Sequence, residues 1–414
     1  MKKFSKISEV VRSENCTSCG ICVNNNLGKM ILKKGIYLPV FSKPLSKDQD
    51  ESLISVCPGK GYDIVDLGEK KFEKTIYDYQ LGHYKSIGAA RSKDNELLKK
   101  STSGGMMPAI ANFLLEKNHV QGILTVKFEY TNNGPVPKPF IAKTKEELCS
   151  AQGSKYMPVP LLEGFDEVIL SFSGKIAIIG TPCQIAGIRL LQEKNPELNH
   201  KIILTIANFC GGYRDFRETE RLFQISKVKK KEINYFSYRG KGQPGFMTIE
   251  SELEKTVDLP YPAYARQTGY IKYNRCRLCV DATGELADLS FGDAWVERFL
   301  NTKKKWSFYI SRSSFGENVL REMLEDGLFE HKKISIEELK KSQRGNLTTK
   351  KERQNSRYEF YKKLGYKLPE FNGGYNKNKI NFSLELKVFV SQRVMYFFEK
   401  IKIYRIIAKL INRI

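Results

Sequence analysis

Cys16-Thr17-Ser18-Cys19-Gly20-Ile21-Cys22, followed by Cys57-Pro58, sets three thiols at CxxCxxC spacing ahead of a distal Cys-Pro. This is one half of a bacterial ferredoxin pattern. A 4Fe-4S cube needs four thiolates converging on its corners; a tight loop with two-residue gaps supplies three, and the fourth comes from elsewhere in the chain. Pro58 cannot donate a backbone N–H, so it ends local regular structure beside Cys57. Gly20 suits a backbone that wraps a cluster closely. Residues 1–66 are therefore expected to form a small ferredoxin-type 4Fe-4S module with Cys16, Cys19, Cys22 and Cys57 as ligands. Electron transfer is the first functional expectation. Zinc also takes four cysteines, but usually from two separate CxxC knuckles. Disulfides need an oxidising compartment, and the mixed, charged stretch Met1 to Val11 has no apolar leader segment. A reduced, cytoplasmic setting is the matching expectation.

The chain holds nine cysteines, so five remain to be read. Cys183 sits in Gly180-Thr181-Pro182-Cys183-Gln184, and Cys210 ends the apolar run Ile202 to Phe209 ahead of Gly211-Gly212. Both read as thiols at a strand end entering a tight turn, where cofactor contacts sit in α/β proteins. Cys276 and Cys279 form a second CxxC. Spacing alone leaves two readings of these four: a second cluster, or buried small apolar side chains. Cys149 has no motif around it and reads as core.

At 414 residues the chain has room for two or three domains and a large core. Its 41% hydrophobic and 28% charged content is that of a globular protein, and no run approaches the roughly 18 apolar residues of a membrane span. The net charge of +23 is uneven: residues 331–414 carry 21 lysines and arginines against 7 acidic residues. The excess is thus a property of the last stretch and not of the redox core. No nucleic-acid motif accompanies it, so nucleic acid is not an expected partner.

Four stretches follow. The module to Asp66 precedes a linker of charged and aromatic residues, Gly68 to Tyr84. From about Lys85 to Arg312, buried strands at Ile123–Val126, Lys175–Ile179 and Ile202–Ile206 alternate with helices at Met106–Leu115 and Ile185–Leu191. This predicts a mixed α/β core with ligands at the strand ends. Ser101-Thr102-Ser103-Gly104-Gly105 precedes the helix at Met106. Glycines let backbone approach a ligand, hydroxyls hydrogen-bond it, and a helix N-terminus favours an anion such as a dinucleotide pyrophosphate. An ordinary N-cap turn has the same composition.

Six separated motifs occur in order: STSGGMMPAI, GSKYMPV (153–159), IGTPCQIAGIRLL (179–191), FCGGYRDF (209–216), YRGKGQPGF (238–246) and CRLCVDATGELADLSFGDAW (276–295). Together they resemble the beta subunit of coenzyme F420 (deazaflavin) hydrogenases and dehydrogenases, over about residues 10 to 310. The resemblance implies FAD and two 4Fe-4S clusters, the second on Cys183, Cys210, Cys276 and Cys279. It implies flavin-phosphate contacts at Ser103, Gly104 and Gly105, and contacts to phosphate or ring oxygens at Lys155 and Tyr156. Thr181, Pro182 and Gln184 would flank a cluster thiol and bring cluster and flavin close. Asp288 and Asp293 read as hydrogen-bond anchors. The two halves of the family's domain would fall on residues 85–160 and 161–330. The chain departs from the family at FCGGYRDF, where relatives often carry a His-Gly-Val-Pro-like turn, so a contact made by that His is missing.

The expected activity is an oxidoreductase that passes electrons between clusters and FAD, to or from an organic substrate or a deazaflavin coenzyme, with a ferredoxin-like redox partner at the N-terminal cluster. The competing reading is an electron-transfer subunit serving a partner enzyme with no substrate of its own. No single residue is singled out as catalytic. Residues 331–414 read as a basic tail with an amphipathic helix, whose apolar Val390, Val394, Phe397, Ile401 and Tyr404 step by three or four. Such a helix lies on an anionic membrane surface, peripheral at the inner face, or docks on protein.

Overall fold

Three short β-branched runs (Ile123–Val126, Ile176–Ile179 and Ile202–Ile206) lie side by side as strands in the computed structural model. The structure describes residues 3–24, 26–253, 255–264, 273–302, 304–378 and 380–400, with backbone alone for 395–400. Strands β1 (Gly28–Lys33) and β2 (Ile36–Phe41) pair as a hairpin in the N-terminal module, and β3 (Ile76–Asp78) and β4 (Gly82–Tyr84) as a second. The stretch that reads as a linker is therefore folded, with Leu81 and Tyr84 buried. Next come β5 (Ser86–Ser92), β6 (Gly122–Thr131), β7 (Gly134–Ala142), β8 (Ile176–Gly180) and β9 (Ile202–Asn208). A three-stranded antiparallel sheet, β10 (Ile233–Gly240), β11 (Phe246–Ser251) and β12 (Thr256–Pro260), precedes β13 (Leu289–Asp293), β14 (Ser307–Ser311) and β15 (Phe329–Lys332).

The main sheet has eight strands in the order β15-β5-β14-β13-β9-β8-β6-β7. Strands β6, β8, β9 and β13 are parallel, and β5 shares their direction because two antiparallel steps separate it from β13. The turns that follow Ser92, Gly180, Asn208 and Asp293 therefore open on one edge of the sheet, where open α/β sheets bind ligands. Strand alternation sends Leu124, Ile176 and Ile178 to one face, against Leu162, Ile185 and Ile188. Ile123, Ala177, Leu204 and Ile206 go to the other face, against Ile110, Phe113 and Val319. Both faces are thus covered, by helices Pro182–Lys194 and Met106–Glu116 among others.

The N-terminal module is sewn to this core by backbone: Leu162 N–H donates to Cys19 O at 2.8 Å and Gly164 N–H to Val23 O at 3.0 Å. Gly20 has φ +90°, and a Cβ there would stand 2.6 Å from the Glu163 nitrogen, so only glycine permits this approach.

The basic last stretch divides. Residues 354–371 are core: Tyr358, Phe360, Tyr361, Leu368 and Phe371 pack in the same cluster as Ile185 and Leu162. Lys351 is fully buried on Glu285 and the Gly374 carbonyl, so part of the charge excess is internal. Helix Phe382–Lys400 then docks through Phe382, Phe389 and Glu385. Glu385 is 1% exposed between Arg353 (2.7 Å) and Arg357 (3.2 Å), and this pairing decides which face turns inward. Val390 and Val394, with Leu386, stay exposed; the side chains of Phe397, Ile401 and Tyr404 lie outside the described residues. Among the described residues no helix is long and apolar enough to cross a membrane.

Candidate functional site

The turns at the sheet edge enclose a cavity of about 750 Å³. That volume lies within the roughly 300–1,000 Å³ of small-molecule and cofactor sites. Ser103, Gly105, Lys155, Tyr156, Thr181, Pro182 and Gln184 line it, as do Cys183, Cys210, Cys276 and Cys279. Gly104 is placed behind the wall. Its N–H donates to Ser307 Oγ at 2.9 Å, and a Cβ would meet the Ala90 carbonyl at 2.5 Å. Ser103 also turns to strand β14, with Oγ donating to the Trp306 carbonyl at 2.8 Å. Gly105, at φ +72°, starts helix Met106–Glu116 with no side-chain cap, and Met106 and Met107 line the cavity at that helix end. A helix end of this kind favours an anion.

Lys155 reinforces that charge. Its ammonium caps the carbonyls of Ala151, Gln152 (3.2 Å) and Gly153 (3.1 Å) and lies 5.5 Å from the Phe128 ring centre. Among the described residues no carboxylate pairs with it. Burial brings its pKa down to about 7. Tyr156 packs on Tyr238 with ring centres 5.4 Å apart. Thr181 and Gln184 form the helix start of Pro182–Lys194: Gln184 Oε1 accepts from the Thr181 N–H at 2.8 Å, and its Nε2 donates to the Val159 carbonyl at 2.9 Å. Pro182 occupies the first helical position, where its missing N–H costs nothing.

The cysteines fall into two sets of four. Cys16, Cys19, Cys22 and Cys57 are all buried and free. Burial pushes the Cys16 thiol up, the Ser18 N–H (3.4 Å from its sulfur) opposes this, and Cys19 and Cys57 add to the rise. Cys22 is raised by burial and by Cys57, Cys16 and Cys19. Each thiol of the set therefore feels the others. The second set behaves likewise: Cys183 is pushed up by burial, with further contributions from Cys210, Cys276 and Cys279. Donors already aim at these sulfurs. Thr181 Oγ1 is 3.3 Å from Cys183 Sγ, the Gly212 N–H donates to Cys210 Sγ at 3.4 Å, and Lys350 Nζ donates to Cys279 Sγ at 3.6 Å. Among the described residues no three His, Cys, Asp or Glu side chains converge on the space of a single metal ion; a cube offers its ligands separate corners. Cys149 lies apart, buried on helix Lys145–Ala151.

Asp288 and Asp293 are ion-paired. Asp288 Oδ2 accepts from Arg189 Nη2 (2.8 Å), the Thr205 N–H (2.7 Å) and Thr205 Oγ1 (2.8 Å) beneath the sheet edge. Asp293 takes both ends of the Arg239 guanidinium (2.6 and 3.0 Å), which also holds the Thr102 carbonyl at 2.9 Å and lies over Tyr261 and Trp295. Arg239 thus fixes the loop before Gly105. It was within reach of the sequence, inside YRGKGQPGF. Lys350 and Glu218 were not, because each meets the site only through long-range packing, and Arg275, though next to Cys276, was not singled out because its reach to Pro58 is set by tertiary packing. Glu218 lines the cavity with Oε1 buried and without a partner among the described residues. Burial lifts its carboxyl to about 8, against the pull of Arg214 at 2.9 Å.

Residues 87–165 match the family model described as coenzyme F420 hydrogenase/dehydrogenase, beta subunit N-term, and residues 173–337 match the model of the C terminus of that same beta subunit. The coenzyme F420 hydrogenase subunit beta of Methanosarcina barkeri is 27% identical over 275 residues, covering 64% of this chain and 87% of that one. Its counterpart in Methanococcus voltae is 29% identical over 262 residues, 61% of this chain and 86% of that one. A coenzyme F420-dependent sulfite reductase of Methanocaldococcus jannaschii is 25% identical over 358 residues, 81% of this chain and 49% of that one. A chain in the structure of the F420-reducing NiFe hydrogenase complex from Methanosarcina barkeri shares the fold, with TM-score 0.55 and 24% identity over 73% of this chain and 99% of that one. The two family matches run from β5 to β15, the whole span of the eight-stranded sheet, and the chain belongs to the coenzyme F420 hydrogenase/dehydrogenase beta subunit family.

Proposed function

We propose that this chain is an iron–sulfur flavoprotein that moves electrons between two 4Fe-4S clusters and FAD, and at FAD exchanges them with a deazaflavin coenzyme or another organic substrate. The observation that carries the reading is the arrangement at one sheet edge: four thiols and an uncapped helix N-terminus share one cavity, with a second set of four thiols packed behind it. Cations without carboxylate partners among the described residues stand at both places, one half-buried and one fully buried. Lys155 sits at the cavity wall and Lys350 at Cys279. A buried cation needs a counter-charge, and a phosphate and a thiolate-ligated cluster supply them.

Cys16, Cys19, Cys22 and Cys57 would hold the outer cluster, and Cys183, Cys210, Cys276 and Cys279 the inner one. Ser103, Gly105, Lys155 and Tyr156 would meet FAD directly. Gly104 would act by keeping its loop tight on β14, and Thr181, Pro182 and Gln184 by fixing the helix start beside Cys183. When bound, clusters exchange single electrons and flavin exchanges one or two, which lets a one-electron donor serve a two-electron acceptor. The residues bind, orient and exclude water: Arg239 and Lys305 hold the carbonyls of Thr102 and Ser101 and so fix the loop ahead of Gly105. Glu218, whose carboxyl burial lifts to about 8, stands at the cavity wall as a group able to carry a proton.

Relatives named as F420 hydrogenase, F420-dependent formate dehydrogenase and F420-dependent sulfite reductase favour the deazaflavin as the first candidate acceptor. Several are named as subunits, which supports service within a larger enzyme and keeps the pure electron-transfer reading alive. The test is iron, sulfide and flavin content with the absorption spectrum of protein purified without oxygen. About eight iron and one FAD per chain support the reading. About four iron and no flavin reduce the chain to its N-terminal module. Reduction of F420 by the loaded protein with a chemical electron donor separates an enzyme from a carrier.

A further inference from the structure

Arg275 precedes the first thiol of the second CxxC, yet its guanidinium reaches the other cysteine set. Nη2 donates to the Pro58 carbonyl at 2.8 Å, and Pro58 follows Cys57. The group is 2% exposed, lies 5.3 Å over the Phe371 ring, and lines the cavity beside Cys276 and Cys279. Its Nε is buried without a hydrogen-bond partner, and among the described residues no carboxylate pairs with it. A guanidinium stays charged at any ordinary pH. An unpaired buried charge is costly, and beyond the Pro58 carbonyl and the Phe371 ring the groups on hand to offset it are the cysteine sulfurs.

Resting on the two-cluster reading, we propose that Arg275 is a counter-charge shared by both 4Fe-4S sites that raises both reduction potentials. Each cluster gains one electron and no proton on reduction, so its negative charge grows by one. A fixed cation between two such sites stabilises both reduced forms. Lys350 provides the contrast. It donates to Cys279 Sγ at 3.6 Å and to the Asp281 carbonyl at 2.6 Å, and touches the inner set alone.

The experiment is a dithionite redox titration, followed by electron paramagnetic resonance, of the full chain purified without oxygen. It compares the natural protein with Arg275→Met, Arg275→Lys and Lys350→Met. Arg275→Met is expected to disfavour reduction of both clusters at least tenfold, about 59 mV for one electron. Arg275→Lys, which keeps the charge, is expected to recover most of both shifts, and Lys350→Met to shift the inner cluster only. A fully loaded Arg275→Met protein with either potential unmoved overturns the proposal. If Arg275→Met does not load, Arg275→Lys decides: both potentials within about threefold of the natural protein's equilibrium support the shared charge, and a larger shift in either overturns it. Iron content of the natural protein separates the two levels. About eight iron with unmoved potentials removes this inference alone, whereas fewer than two clusters removes the reading beneath it as well.

Discussion

Replacing Lys155 by methionine keeps the bulk of a side chain packed near Phe128 and removes a charge that burial has already loosened. With its pKa near 7, Lys155 is charged in about nine molecules of ten at pH 6 and about one in a hundred at pH 9. A phosphate against that wall favours the charged form, so the bound-state pKa lies above the free one and binding takes up a proton. The sign follows: affinity is full below about pH 7 and falls as pH rises, by up to tenfold per unit, until the bound-state pKa is passed. One charge about 5 Å from a phosphate, at an effective dielectric of about 20, contributes about 3 kcal/mol, or roughly 100-fold in affinity. Lys155→Met should therefore bind FAD roughly 100-fold more weakly at pH 6 and nearly as well as the natural protein at pH 9. Flavin fluorescence titrations of the deflavinated protein at several pH values measure this. A natural protein whose affinity does not change with pH, or two curves that fall in parallel, would refute the role given to this ammonium.

Other outcomes follow from the same geometry. Cys57→Ser and Cys276→Ser should each lower iron from about eight to about four per chain, by removing one ligand from different cubes. Asp288→Asn leaves Arg189 buried without its carboxylate and should cost about 3–5 kcal/mol in denaturant unfolding, while the absorption spectrum of the folded protein stays unchanged. Glu385→Gln takes the shared carboxylate from Arg353 and Arg357; amide exchange across residues 382–392 should rise sharply, and a flat exchange profile would show that Phe382 and Phe389 alone hold the helix. If the exposed Leu386, Val390 and Val394 meet lipid, the chain should float with vesicles containing anionic but not purely neutral lipid, and deleting the residues after Phe382 should abolish it.

The strands at 123–126, 175–179 and 202–206 were legible because buried parallel strands are continuous apolar runs, and their helices because Pro182 and Gly105 mark the starts. The two halves of the site differ. Cysteine spacing is local chemistry, so it proposes the N-terminal set directly, while joining Cys183, Cys210, Cys276 and Cys279 into a second set rested on the family resemblance. Apart from Lys155, the cations were hidden. Lys350, Lys351, Arg353 and Arg357 look like part of a solvated basic tail, and only tertiary packing turns Lys350 onto Cys279 and sets Glu385 between the two arginines. The amphipathic stripe at Val390 and Val394 was visible as a period, but the inward face was chosen by a buried ion pair that no period reveals.

Lys350 reaches back 71 residues to touch Cys279. All eight candidate ligands therefore leave the ribosome before the segment that covers them. At about 5–20 residues per second, roughly 4 to 14 seconds separate the last cysteine from its cover. If the thiols take up iron during synthesis, they would be most accessible in that interval, before the C-terminal part of the core closes over them. Slowing translation between residues 280 and 350 would lengthen the interval, and a shortage of delivery machinery would be felt most by chains synthesised fastest.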